Sequence, residues 1–568
     1  MELKAHPRIF LPKDYTITQW EGLLPYYESL IDEDFQSIDE FELWLKKVSE
    51  LDSVVSEDLA WRYIRMTCDT TNKEYEQSYL DFISNIQPQL TPLTDKINKK
   101  LVASSFLQEL EKKDGAYTLY FRQIRTAIDL YREENIPIST KIQTLAQEYS
   151  AISGQMEVDW EGKKLTLQQA GVFLKSNDQS VREEAYKAIQ EERYRNHERL
   201  DNIFSEMVAL RHQIAVNAGF ENFRDYKFKA LNRFDYTVQD CFDFHNAIEK
   251  VVVPLKKKLH QIRKEKLGVE VLKPWDTSVD PDNHPKLHPF ETGEELLNKT
   301  IKAFNRIDSY FSDCLLTMKK MKHLDLESRK GKSPGGYNYP LAETGVPFIF
   351  MNAASMQRDV ETMVHEGGHA IHSFLTRELP LESFKETPSE VAELASMSME
   401  LLSMDVWDEF YPDPSDHQRA IREQLEGIIF TLPWIATIDA FQHWVYEHPT
   451  HTQDERIIAW NNISNRFETG LIDYTEVEQY KNYSWHAQLH VFEIPFYYIE
   501  YGFAQLGAIG VWKNYKNNQV AAIEAYKTAL KAGYTRSIPE IYQLAGVRFD
   551  CSAGYIEELF EFLWKELH

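Results

Sequence analysis

The sequence predicts a mostly α-helical protein, and three observations predict it. Glycine and proline number only 22 each among 568 residues, so the residues that most often interrupt helices are scarce. Apolar residues recur at spacings of three and four over long stretches. Strand-like alternation is confined to short pieces. Hydrophobic residues make up 43% and aromatic residues 13%. That is enough apolar material for a large interior, and it excludes disorder over most of the chain.

Helical periodicity fills Ile17–Leu110, Tyr117–Ser150, Val238–Leu267, Glu294–Lys320 and most of the stretch after Glu390. From Ser180 onward, Ser180 and Glu183 form a capping-box pattern. Apolar positions then follow at Ala185, Ile189, Tyr194, Leu200, Ile203, Met207 and Leu210. Three pieces break the pattern. Met156–Leu167 alternates about Glu161-Gly162 and predicts a hairpin. Val271–Gly293 is rich in Pro and Asp and predicts a long loop. Arg329–Ala354 predicts a glycine-containing loop leading into a short strand at Pro347–Met351. No internal repeat is present. The length suits several domains or one large enzyme with intertwined lobes. The hairpin and the Val271 loop are the best boundary candidates. The division expected is an N-terminal helical lobe over 1–190 and a catalytic region over 191–568.

The net charge is −26, from 63 basic and 89 acidic residues. A phosphate-binding surface needs clustered Lys and Arg. The basic run at Pro254–Lys266 reads instead as a solvated helix face. No nucleic-acid partner is expected. Cys68, Cys241, Cys314 and Cys551 are far apart in sequence, so neither a CxxC site nor a disulfide framework is expected. The first fifteen residues lack a signal peptide's apolar stretch. The most apolar segment, Gly427–Ile438, lies between Glu426 and Asp439 and is too short to span a bilayer. It suits a core helix bent at Pro433. A soluble, cytoplasmic protein without a membrane partner is the expectation, with the oligomeric state open.

The chemistry is carried by "VHEGGHAIH", Val364–His372. His365, Glu366 and His369 form HExxH. Residues four apart on a helix lie one turn above each other, so two imidazoles in this relation can bind one Zn²⁺. Glu366 projects to the side, where it reaches a water rather than the metal. Gly367 and Gly368 each cost about 1 kcal/mol against alanine in a helix interior. The compensation expected is close approach by another backbone or a substrate. His372 reads as a packed residue. Zinc needs a third protein ligand, and "FKETPSEVAELASMSMELL" offers two. Glu386 and Glu393 are seven apart, so if both are helical they share a face. Either could ligate, with the other hydrogen-bonding a histidine from outside. Glu390 reads as a solvated or capping charge. Two histidines and a glutamate, with a fourth position open, form a catalytic rather than a structural pattern.

These motifs resemble the zinc oligopeptidases related to thimet oligopeptidase, especially the oligoendopeptidase F branch. The matching pieces are "HEGGHAIH", "ETPSEVAELASMSMELL", "PGGYNYP" with "PFIFMN", "TLPWIATIDAFQHWVY" and "HVFEIPFYYIEYGFA", in family order from about Leu165 past Tyr501. The resemblance implies an almost entirely helical, elongated molecule whose two lobes flank a deep channel, with a small β element at the active site. One Zn²⁺ per chain at its floor acts on short unstructured peptides. It implies that Glu386, in a Glu-x-Pro-Ser sequence, is the third ligand beside His365 and His369, and that Glu393 is its outer partner. It implies Glu366 as catalytic base, and His490, Tyr498 and Tyr501 as donors to the oxyanion. The spacing from His490 is one residue shorter than in thimet-type members, so Tyr497 can replace Tyr498. "PFIFMN" resembles the strand whose edge pairs with substrate, and "SPGGYNYP" a flexible loop over the cleft. His486 is expected to serve packing or substrate contact.

The function expected is zinc-dependent endopeptidase action on oligopeptides. An exopeptidase on a similar zinc helix is the first rival. The strand "FIFMNAAS" lacks the glutamate with which an aminopeptidase anchors a free amine, and no basic anchor for a carboxypeptidase is evident. A catalytically inert peptide-binding scaffold is the second rival; it predicts no metal and no turnover.

Overall fold

The computed structural model describes Leu3, residues 6–333 and residues 335–568. Helices dominate, the longest being Ile38–Cys68, Val238–Leu267 and Pro414–Glu447. The described residues divide into two compact units, each discontinuous in sequence. The first comprises residues 1–131, 287–422 and 503–549; the second comprises 132–286, 423–502 and 550–568. The cut at 286/287 falls in the long loop expected at Val271–Gly293. The boundary expected at 190/191 falls inside the helix Gln179–Arg195, and neither unit ends there. Composition along a chain cannot reveal units that share it in alternating pieces.

In the first unit the N-terminal helices close over Phe41, Trp44, Leu51 and Phe121. A later segment, Leu381 and Phe384, is buried in this same cluster. Beyond it lies a three-stranded sheet of β3 (Leu324–Glu327), β4 (Tyr337–Tyr339) and β5 (Phe348–Ala353). Its order is β3-β5-β4, with β5 parallel to β3 and antiparallel to β4. This corrects the expectation that the Pro347–Met351 strand offers an edge to substrate: β5 is the central strand, and β4 is an edge. The segment expected as a flexible loop is in part that strand. Tyr337 stacks on Phe350 at 4.7 Å and its hydroxyl lies 2.6 Å from Thr67 Oγ1. Pro334, in the same motif, lies outside the described residues, as do Met1, Glu2, Lys4 and Ala5 at the N-terminus.

The second unit contains the expected hairpin. β1 (Glu157–Trp160) pairs with β2 (Lys163–Thr166) antiparallel, and Glu161 and Gly162 both take positive φ. The helical run after Ser180 is two helices, Gln179–Arg195 and His197–Asn217, parted at Asn196. Asp178 rather than Ser180 caps the first, accepting from Ser180 N at 2.9 Å. The apolar segment near Pro433 is buried through Ile429, Leu432, Ile435 and Ile438, inside the helix Pro414–Glu447. Among the described residues no helix is long and apolar enough to cross a membrane.

Candidate active site

The site begins with two helices of the first unit. Gln357–Thr376 carries HExxH, and its N-terminus is held by Asp359, which accepts from Ala354 N and Met356 N at 2.8 and 2.9 Å. Val360, Met363, Val364 and Ile371 are fully buried and fix which face turns inward. The second helix, Ser389–Ser403, packs directly on it. The two glycines explain how closely. A Cβ on Gly368 would lie 2.7 Å from Ala395 O and Ser396 Cα, and one on Gly367 would lie 2.8 Å from the Phe304 ring. Backbone therefore meets backbone at Gly368, which resolves the two alternatives in favour of a neighbouring helix.

That approach brings Glu393 to the histidines. Its Oε2 lies 3.4 Å from His365 Nε2 and 3.7 Å from His369 Nε2. Donor atoms of His365, His369 and Glu393 all lie within 4.8 Å of one another. Each has an outer partner. His365 Nδ1 is 2.6 Å from Glu400 Oε1, which leaves Nε2 turned to Glu393. His369 bonds the backbone of Ala392. Buried Ser396 donates to Glu393 Oε2 at 3.0 Å. Tyr526 and Tyr542 donate to Ala395 O and Glu390 O at 2.8 and 2.9 Å, pinning the second helix. The histidine side chains keep 20% exposure, so the cluster is open on one side.

Two expectations are corrected here. Glu386 does not join the histidines: among the described residues the metal-capable group on His365 and His369 is completed by Glu393 alone. Glu386 caps the short helix Glu382–Lys385, is exposed, and has Glu382 as a charged neighbour. Its segment is docked on the N-terminal helices, with Glu382 N donating to Ser49 Oγ at 2.7 Å and Phe384 edge-on to Tyr117 at 5.5 Å. Glu393, expected outside, is the inner carboxylate. The outer carboxylate is Glu400, which sequence reasoning missed. The available signal was Pro388. It precedes the first helical residue, Ser389, so Glu386 lies outside the helix, whereas Glu393 and Glu400 lie within it, seven apart and facing one way. Glu390, expected as a solvated or capping charge, is buried in the first turn of the helix Ser389–Ser403.

Electrostatics separates the two histidines. Burial pushes His365 down, but the hydrogen bond to Glu400 and the charges of Glu393, Glu400 and Glu366 outweigh it and raise its pKa to about 9. Burial and the His365 cation drive His369 down to about 3. Glu366 is buried, and burial with the nearby Glu393 and Glu400 charges raises its carboxyl to about 7, against the pull of His365. Asn338, on the edge strand β4, donates to Glu366 O at 3.2 Å. His372 is buried, bonds the backbone of Leu530 and is driven to about 3 by burial, as a packed residue.

The second unit gathers the remaining residues singled out from the sequence. The His490 ring lies 5.0 Å from Tyr498, 5.7 Å from Tyr501 and 5.8 Å from Tyr497. Tyr501 OH is 3.4 Å from His490 Nε2, and the side chain of Gln488 holds Nδ1 at 2.8 Å. Tyr497 and Tyr498 both border Tyr501, at 5.2 and 5.5 Å. His486 is buried 3.4 Å from Asp201, which also accepts from Arg456 at 2.9 Å. It is a packing residue with an acidic partner.

The model of peptidase family M3 matches residues 172–560, and that of the M3 N-terminal domain matches residues 10–131. The chain belongs to peptidase family M3. An M3 relative, an oligoendopeptidase F homolog of Borreliella burgdorferi, is 22% identical over 90% of this chain and 88% of its own. Group B oligopeptidase PepB of Streptococcus agalactiae is 21% identical over 88% of this chain and 84% of its own. Among solved structures, Pz peptidase A with an inhibitor superposes with a TM-score of 0.91 at 26% identity, covering 97% of this chain and 98% of that one. The chain is thus a peptidase with the mostly helical M3 fold. Two imidazole nitrogens, a carboxylate oxygen and an open side form a donor set that fits one divalent ion of borderline softness. The outer partner on each histidine is the arrangement that orients metal-binding imidazoles.

Proposed function

We propose that this M3 peptidase is a zinc endopeptidase that cuts internal bonds of short, unstructured peptides, with His365, His369 and Glu393 holding the ion. The observation that carries the reading is geometric: Glu366, a buried carboxyl, sits beside the His365–His369–Glu393 triad. A bound zinc ion would supply positive charge that acidifies a neighbouring water and polarises a peptide carbonyl. Glu366 takes the water's proton and hands it to the departing amine, and burial of its carboxyl favours taking up that proton. Glu400 and Ala392 keep the two imidazoles oriented, and Ser396 does the same for Glu393. Asn338 ties strand β4 to the turn that carries Glu366, and the outer edge of β4 is the strand we assign to backbone pairing with substrate. His490 with Tyr501, and Tyr498 or Tyr497, are assigned as donors to the tetrahedral oxyanion. Support for that assignment is their resemblance to the family's donors and their gathering into one ring cluster.

The test is Glu366→Gln. It should retain zinc and lose cleavage of a quenched peptide by roughly 10²–10⁴-fold; full activity in that variant rejects the role. A peptide blocked at both termini separates endopeptidase from exopeptidase. Cleavage is expected, and its absence, with cleavage of the free-ended peptide, favours an exopeptidase.

A further inference from the structure

A second donor group lies in the second unit, where the peptidase chemistry makes no use of it. Cys241 and His245 occupy consecutive turns of the helix Val238–Leu267, and Asp439 and His443 consecutive turns of the helix Pro414–Glu447. Donor atoms of Cys241, Asp439 and His443 lie within 4.8 Å of one another, and all three residues are buried. His245 stands behind them, its Nε2 2.8 Å from Asp439 Oδ2. His443 Nε2 is 3.2 Å from the same oxygen but lacks hydrogen-bond geometry.

A purely hydrogen-bonded polar cluster leaves few donors or acceptors unused. Here Asp439 Oδ1 and both His443 nitrogens have no hydrogen-bond partner, though none reaches solvent. The wall around His443 is aromatic: Phe242, Phe496 and Phe228 at 4.9, 5.2 and 5.8 Å. Asp439 is held ionised by its two histidines despite burial. Burial drives His245 toward its neutral form. A fully buried carboxylate with Oδ1 unused, beside an imidazole with Nδ1 unused, is a surrounding that a cation can complete.

The geometry points to a second, structural zinc(II)-type ion held by Cys241 Sγ, Asp439 and His443, with His245 orienting the Asp439 carboxylate from behind. Thiolate, imidazole and carboxylate select a borderline divalent ion and disfavour magnesium and calcium, which take oxygen donors. On binding, the Cys241 S–H bond breaks, the sulfur–metal bond forms and the proton leaves to solvent; no electron is transferred. A dication with one thiolate and one carboxylate is neutral overall, which suits a sealed interior. Burial, which raises the Cys241 thiol well above its ordinary pKa, is then offset by the ion itself.

The experiment counts metal in the purified full-length chain. Wild type is expected to hold two equivalents of zinc, His365→Ala one, and His365→Ala with Cys241→Ser none. One equivalent in wild type and none in His365→Ala overturns the proposal. So does a second equivalent that survives the loss of Cys241. Should Cys241→Ser fail to fold, zinc-edge X-ray absorption on His365→Ala decides: one sulfur among nitrogen and oxygen neighbours supports the site, and an all-nitrogen-and-oxygen shell overturns it. Among the described residues no other cysteine belongs to a metal-capable group, so that sulfur identifies Cys241.

Discussion

His365 with His369, and Asp439 with His443, are both donor pairs one helical turn apart. The environments differ in every other respect. The first pair keeps partial exposure, and its three donors are backed by Glu400, Ala392 and Ser396. The second is sealed by phenylalanines and leaves three polar atoms unused. The difference teaches how one spacing serves two ends. Open access with a satisfied outer layer orients groups for chemistry. A closed pocket with unsatisfied atoms stores charge in the core, and there any change is felt as stability.

The comparison can be broken from either side. The largest effect expected is on the closed cluster's fold. Asp439→Ala strands a buried His245 and removes the anion, and should destabilise the protein by about 3–5 kcal/mol. Turnover per folded molecule should be unchanged; thermal melts with active-site titration check both. Gly368→Ala attacks the open site through packing. Its methyl must displace Ala395 and Ser396, which are backbone rather than a flexible side chain, at a cost of about 1–3 kcal/mol. Spreading the helices also withdraws Glu393, so metal affinity should fall together with the melting temperature. Glu400→Gln leaves the donors in place and removes the anion behind His365. A loss of about 10–100-fold in metal affinity is expected by competition with a chelator, with little change in melting of the metal-free protein at high pH.

The smallest effect is a proton. In the metal-free protein His365 has a pKa raised to about 9, while His369 is already neutral. The sign follows: the His365 cation stabilises the metal-free fold below pH 6.5, and that contribution fades as pH rises through about 9. Zinc must displace that proton, so between pH 7 and 9 apparent affinity should climb by roughly tenfold per pH unit. Calorimetry in buffers of different ionisation heat should report about one proton released per zinc at the open site; no proton released contradicts the His365 assignment.

Much of this was legible in the sequence. HExxH on a helix follows from spacing alone, and the glycine pair signalled a close neighbour before that neighbour was known. The hairpin at Glu161-Gly162 and the buried helix around Pro433 follow from local chemistry. What was missed depended on register and on distance. Seven-residue spacing fits both Glu386–Glu393 and Glu393–Glu400; only the helix start after Pro388 separates them, and the resemblance pointed to Glu386 whereas the structure gathers Glu393 and Glu400 at the histidines. β5 reads as a strand from its composition, but nothing local says that β3 and β4 cover both its edges. The Cys241–Asp439–His443 group joins residues about two hundred positions apart, and the two units interleave along the chain, so neither could be read in linear order.

One measurement tests the central claim most directly: the zinc content and affinity of Glu393→Gln beside Glu386→Gln. Glu393→Gln should lose the ion at the open site and with it peptide cleavage, while Glu386→Gln should bind zinc as the unmodified chain does. Open-site zinc retained by Glu393→Gln and lost by Glu386→Gln contradicts the account.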